Sequence, residues 1–336
     1  MAIMETGIGA PVLRKEDERF LTGYACFSDD IKPDGVLAAL ALRSPVAHAE
    51  IRTINVEAAR TAAGVKLVLL ASDLEAEGVQ VIPSYSTSPP FDVGRIEGGD
   101  AADLSQYPLA RDRVRYAGEP VAFVVADTIE EARTAAELIE VDYVDLPAVM
   151  EIEEALALSS EQLWFDAPGN VTFDWETGDA AATDAVFATA AHVSCLRVEN
   201  NRVVIAFMEP RAAVAEWDQV VDRYTLQVGC QSAHGMRAGL ATVLGVDEGK
   251  IHVVVPDTGG GFGARGGVYP EFVLALLSAR LLGRPVKWTE SRSEAFLTDA
   301  QSRDHVLHGE LALDGDGHFL ALRVRGDWRH GAYLGS

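Results

Sequence analysis

The stretch from Ile251 to Leu282, IHVVVPDTGGGFGARGGVYPEFVLALLSARLL, passes from a β-branched run through a glycine-rich loop into a long apolar segment. Six of the nine residues from 259 to 267 are glycine: Gly259, Gly260, Gly261, Gly263, Gly266 and Gly267. Lacking a Cβ, glycine lets backbone N–H groups come close to a bulky ligand and adopts turns that other residues resist. The order strand, loop, helix therefore predicts a binding loop for something large and anionic, with the helix starting at Pro270, a favoured first helical residue.

Gly261, Gly263 and Gly266 have the GxGxxG spacing, and Glu290 closes the next strand, so a nicotinamide-dependent dehydrogenase is one reading. Against it, residues 257–269 make a long loop rather than a tight turn, and Glu290 lies well beyond the usual ~20-residue offset for a ribose-binding acid. A Walker A loop is excluded because no Gly-Lys-Ser/Thr follows.

Outward from this loop, 336 residues with 48% hydrophobic and 24% charged content indicate a globular chain long enough for two domains, each with its own core. A formal charge of −23 opposes nucleic acid and anionic membranes as partners, because both require a basic surface. The first twenty residues lack a basic segment followed by an apolar core, and no later run is long enough to span a bilayer, so a cytoplasmic protein is expected. Cys26, Cys195 and Cys230 are widely spaced, which indicates neither a disulfide framework nor a thiolate metal site.

From Gly35 to about Pro147, β-rich runs (VLAALALRS, VKLVLLAS, PVAFVVAD, EVDYVDLPAV) alternate with helical ones (VEAARTAAGV, TIEEARTAAELI), which predicts a compact α+β unit. Residues 82–103, rich in Pro, Gly, Ser and Asp, form a surface excursion, and residues 165–179 mark the likeliest boundary. Beyond it, HVSCLRVEN, AAVAEWD and YTLQVGC read as strands and HGMRAGLATVLG as a helix; RPVKWTE is another strand, and residues 306–327 form a hairpin about Asp314–Gly317.

Gly259-Gly260-Gly261-Phe262-Gly263, Met208-Glu209-Pro210-Arg211, Gln231 ahead of the HGMRAGLATVLGV helix, and VKWTESRSE together resemble the molybdenum-binding subunit of the xanthine dehydrogenase, aldehyde oxidase and carbon monoxide dehydrogenase family. EDERFLTGYACFSDDI, RSPVAHAEI, PLARDRVRYAGEPVAFVVAD and VDYVDLPAV resemble the α/β-hammerhead domain that precedes it. The resemblance covers nearly the whole chain in the family's order. It implies an α+β architecture: an N-terminal arm (1–20), a hammerhead domain (21–150), a linker (151–170) and a first molybdenum cofactor-binding domain (171–336), incomplete at its C-terminus.

The cofactor implied is molybdopterin cytosine dinucleotide, its metal held by a pterin dithiolene and by no side chain. The reaction implied is oxidative hydroxylation of an aldehyde, an N-heterocycle or carbon monoxide, with electrons passing to [2Fe–2S] and FAD groups on a small and a medium partner subunit. By resemblance, Gln231 matches a residue whose amide hydrogen-bonds a molybdenum ligand, and Gly260, Gly261, Phe262 and Gly263 match the loop beside the metal, the phenyl ring shielding it from water. Glu209 matches a motif residue that orients the loop or pairs with Arg211. Arg265 is either a phosphate contact or an exposed loop cation, His234 a pterin contact or a helix cap, and His305 with His308 a solvated surface pair.

Two departures stand out. Where purine-oxidising relatives carry a substrate-gripping glutamate, this chain has Gly266, and the family subunit is more than twice as long. Its further part supplies the glutamate base and, in carbon monoxide enzymes, the signature cysteine loop. The expectation is thus the N-terminal half of a large subunit, natural or truncated, inert without a second polypeptide; a scaffold or maturation relative is the non-enzymatic alternative.

Overall fold

The computed structural model describes residues 7–84 and 101–334. Most of the 82–103 excursion expected from composition lies outside the described residues. Strands β1 (Leu37–Arg43), β3 (Val65–Leu69) and β5 (Pro120–Ala126) come from the first half; β8 (Ala212–Asp218), β9 (Arg223–Val228), β10 (Ile251–Val254) and β11 (Val286–Thr289) come from the second. All seven belong to one sheet of order β10-β9-β8-β11-β1-β5-β3. The seam is the parallel pairing of β1 with β11, in which Leu37, Ala38 and Ala39 face Val286, Lys287 and Trp288.

The expectation of two separately cored units is corrected by this seam. One apolar cluster gathers Leu37, Leu69 and Phe123 from the first half with Leu226, Met236 and Trp288 from the second. The Pro270–Leu282 helix lies against strands from both halves, among them β8, β9, β11, β3 and β5. Ten consecutive residues of it, Pro270 to Ala279, are buried, as expected of a helix apolar all round. Its ends follow elementary rules: Pro270 opens it and Gly283, at φ 60°, closes it in the left-handed conformation. The hammerhead half keeps a smaller cluster of its own, where Ala132, Ala135 and Ala136 of the Ile129–Ala136 helix pack on Val68, Ala122 and Val124.

Two three-stranded sheets complete the fold: β4 (Arg113–Val114), β2 (Ala49–Asn55) and β6 (Glu140–Asp145), and β13 (Phe319–Trp328), β12 (His305–Leu313) and β7 (His192–Asn200). The β12–β13 hairpin and β7 lie where the alternation of the sequence put them. Among the described residues no helix is long and apolar enough to cross a membrane.

Candidate cofactor site

Beyond β10, the chain forms the glycine loop before the Pro270 helix. Gly260 and Gly263 have φ of 111° and 97°, and between them Phe262 holds φ 48°, a conformation that costs a side-chain-bearing residue free energy and marks functional loops. Phe262 is 77% exposed. The other glycines are needed for close approach. A Cβ on Gly261 would stand 2.8 Å from the Gln231 Cδ, one on Gly259 would stand 2.4 Å from the Glu209 Cβ, and one on Gly260 would stand 2.9 Å from the Phe207 Cβ.

Gln231 precedes the Ala233–Leu244 helix, whose N-cap is Ser232, accepting from the Gly235 N–H. His234 is therefore not the cap. The Gln231 carboxamide oxygen accepts from the Gly263 N–H (2.9 Å) and the Arg265 N–H (3.2 Å). Two N–H donors require the oxygen, not the nitrogen, to face them, so the Nε2 group points away, and it donates to nothing among the described residues. The N–H groups of Gly260, Gly261 and Phe262 likewise find no acceptor there.

Arg265 is placed differently from expectation, and of the two roles expected of Glu209 the contacts match holding the loop rather than pairing with Arg211. Arg265 is 2% exposed, neither a surface cation nor open to an external phosphate. Its guanidinium bonds the Glu209 carboxylate (2.5 Å) and backbone oxygen and lies 4.2 Å from the centre of the Phe207 ring. Glu209 pairs with Arg265, not with its neighbour Arg211, and its carboxylate also accepts from the Gly259 N–H (2.7 Å) and the Ser28 N–H (3.3 Å). The Gly259 and Arg265 contacts fix the loop and the Ser28 contact ties it to the N-terminal segment, so Glu209 acts as an anchor.

Arg211 instead meets Glu271, Glu290 and Asp299, all buried, while Arg43 of β1 bonds Glu271 and Glu294. Burial pushes Glu290 above the ordinary carboxylate range against the pull of Arg211. Taken up in this network, Glu290 is unavailable to a ribose, which removes the acid that a dinucleotide reading needs. His305 is half-buried beside Trp328, with its ring 3.4 Å from the Asn200 amide, and His308 is exposed.

Sequence reasoning missed the part played by the segment from Arg19 to Ser28, where the N-terminal arm enters the hammerhead domain. Arg19 pairs with Asp257 at the start of the loop, the Cys26 N–H donates to the same carboxylate (2.9 Å), and the Ser28 hydroxyl accepts from the Gly229 N–H (2.9 Å). These contacts span more than 200 positions, and no local pattern signals them.

The donor set suits an anionic, oxygen- and sulfur-rich group: three consecutive free amides, an outward carboxamide NH2 and no free carboxylate at Glu209. Residues 164–336 match the model of the molybdopterin cofactor-binding domain, and residues 22–147 match that of the aldehyde oxidase and xanthine dehydrogenase a/b hammerhead domain. The chain belongs to the molybdenum-binding large subunits of the xanthine dehydrogenase, aldehyde oxidase and carbon monoxide dehydrogenase family.

It is 36% identical to the carbon monoxide dehydrogenase large chain of Hydrogenophaga pseudoflava over 95% of its own length and 39% of that protein's. It is 34% identical to the nicotine 6-hydroxylase large subunit of Paenarthrobacter nicotinovorans over 97% and 38%. Among solved structures, quinoline 2-oxidoreductase from Pseudomonas putida 86 superposes with a TM-score of 0.84 at 36% identity, covering 99% of this chain and 41% of that one. Reconstituted CO dehydrogenase from Oligotropha carboxidovorans gives 0.85 at 34%, covering 95% and 39%. The chain thus spans about two-fifths of the length of these relatives.

Proposed function

We propose that this chain is the N-terminal part of the large subunit of a molybdenum hydroxylase, binding molybdopterin cytosine dinucleotide and serving oxidative hydroxylation of an aldehyde, an N-heterocycle or carbon monoxide. The group, when bound, supplies two-electron redox chemistry that oxygenates the substrate carbon; electrons then leave through [2Fe–2S] and FAD carriers on partner subunits. A second polypeptide or a further part of this one supplies the proton-accepting base.

The chain's own residues bind and orient. Gln231 offers a neutral donor, which stabilises developing negative charge without adding charge of its own. The amides of Gly260, Gly261 and Phe262 add preorganised donors, and the phenyl ring keeps water from the face it covers. Glu209 and Arg265 hold the loop from beneath. The fixed orientation of the Gln231 carboxamide is the observation that carries this reading.

The test uses the chain assembled with its partner subunits in a host that makes the cofactor. Molybdenum, pterin and CMP released on acid hydrolysis are expected in equal amounts. Gln231→Glu keeps an acceptor for the Gly263 and Arg265 N–H groups but loses the outward donor. Its cofactor content should stay near wild type while kcat falls by about 100-fold. Wild-type kcat in that variant, or retention of NAD in place of molybdenum by the unmodified assembly, would refute the proposal.

A further inference from the structure

The β13-β12-β7 sheet divides its residues by chemistry. Register places Leu196 and Val198 of β7, Leu307 and Leu311 of β12, and Leu322 and Val324 of β13 on one face, which carries no Asp, Glu, Lys or Arg. Every such residue of the three strands, Arg197, Glu199, Glu310, Arg323, Arg325 and Asp327, falls on the other. Elements of this chain reach the charged face: Arg323 pairs with Asp184 and lies over Phe187 of the Ala180–Thr189 helix, and Arg197 pairs with Glu153. The apolar face is left open, with Leu196 and Leu322 each 66% exposed and Val324 56% exposed.

An antiparallel sheet ordinarily turns its apolar face inward and its charged face to water. Here the apolar face lies open as well, beside a charged face whose Arg197, Glu199, Arg323 and Arg325 are exposed in the ordinary way. Contiguous apolar surface of this kind marks an interface.

We infer that this face seats the remainder of the large subunit, the part that the relatives carry beyond the two-fifths matched here. The inference rests on the proposed reading of the chain as part of a longer subunit. The solved relatives hold this same fold within a chain of which it makes up 39–41%, so the longer part must pack somewhere on it. The centre of the open face is leucine and valine and the face carries no Asp, Glu, Lys or Arg, with His192, Ser194, Asn200 and His305 toward its ends. A second copy of this chain fits less well, since it would bring another formal charge of −23 against the first.

Carbene footprinting of side chains tests it, on the isolated chain and on the large subunit assembled from this chain and a polypeptide corresponding to the remaining part. Labelling of Leu196, Leu322 and Val324 is expected to fall about fivefold on assembly, in line with the close packing of interface cores. Leu196→Glu and Leu322→Glu should abolish capture of that polypeptide while each isolated variant melts with the wild-type chain, because both sites are exposed; Arg325→Glu on the charged face should leave capture intact. Unchanged labelling, a wild-type chain that captures nothing, or a dimer of the isolated chain that protects these residues overturns the inference. Unchanged labelling in an assembly that still holds molybdenum would sink this surface alone and leave the proposed function standing.

Discussion

Glu119 is 1% exposed, with one carboxylate oxygen accepting from the Arg115 N–H (2.6 Å) and the other from the Tyr333 hydroxyl. Burial raises its pKa from near 4.5 to about 7, more than these hydrogen bonds and Arg115 lower it. Between those two pH values the native state holds a proton that the unfolded chain has released, so stability falls as pH rises through the window. Glu119→Gln removes the titration and keeps both contacts, its carbonyl accepting from Arg115 and its NH2 meeting Tyr333. The wild type should therefore lose on the order of 3 kcal/mol relative to this variant between about pH 4.5 and pH 7, levelling off above. Urea titrations at stepped pH measure the difference, and a pH-independent one would show that Glu119 does not titrate in that window.

At the scale of the element, the glycine loop owes its shape to close approach as much as to backbone freedom. Gly261→Ala places a methyl 2.8 Å from the Gln231 carboxamide carbon, at a residue held by two loop amides. A loss of about 1–3 kcal/mol is expected, with reduced molybdenum retention in the assembled subunit. Gly315→Ala, in the β12–β13 turn where a Cβ would meet nothing within 4 Å, should change thermal stability little. Equal melting temperatures for the two variants would contradict the packing described. This loop was legible in the sequence because glycine density, the preceding β-branched run and Pro270 are all local signals. The strands of the second half were legible for the same reason, their alternation being a property of neighbours. The anchoring of Arg265 was not: a cation amid glycines reads as exposed, and its partner Glu209 lies 56 positions away. Arg211, two residues from Glu209, looked the nearer partner, but Glu271, Glu290 and Asp299 converge on it from elements far along the chain.

For the whole molecule, the decisive contact joins residues far apart in the chain, Leu37 with Val286. Hydrophobic periodicity tells that β1 and β11 are strands but not that they pair, and the sequence boundary between the halves runs through a region where the sheet has none. Arg43, on β1, reinforces the seam through Glu271 at the start of the Pro270 helix. Leu37, Leu69, Phe123 and Val125 of the hammerhead half are at most 1% exposed and belong to the core shared with the second half. A fragment of residues 22–147 would uncover them. At about 1.5–3 kcal/mol for each such side chain, the loss approaches the whole stability of an ordinary domain, roughly 5–15 kcal/mol. The smaller cluster around Val68 and Ala132 is expected to hold that fragment collapsed without restoring a cooperative transition. Calorimetry should accordingly show one transition for the intact chain and none for the fragment, with dye binding reporting exposed apolar surface in the latter. A fragment that melts cooperatively within a few degrees of the intact chain would mean that the seam contributes little and that each half carries a sufficient core.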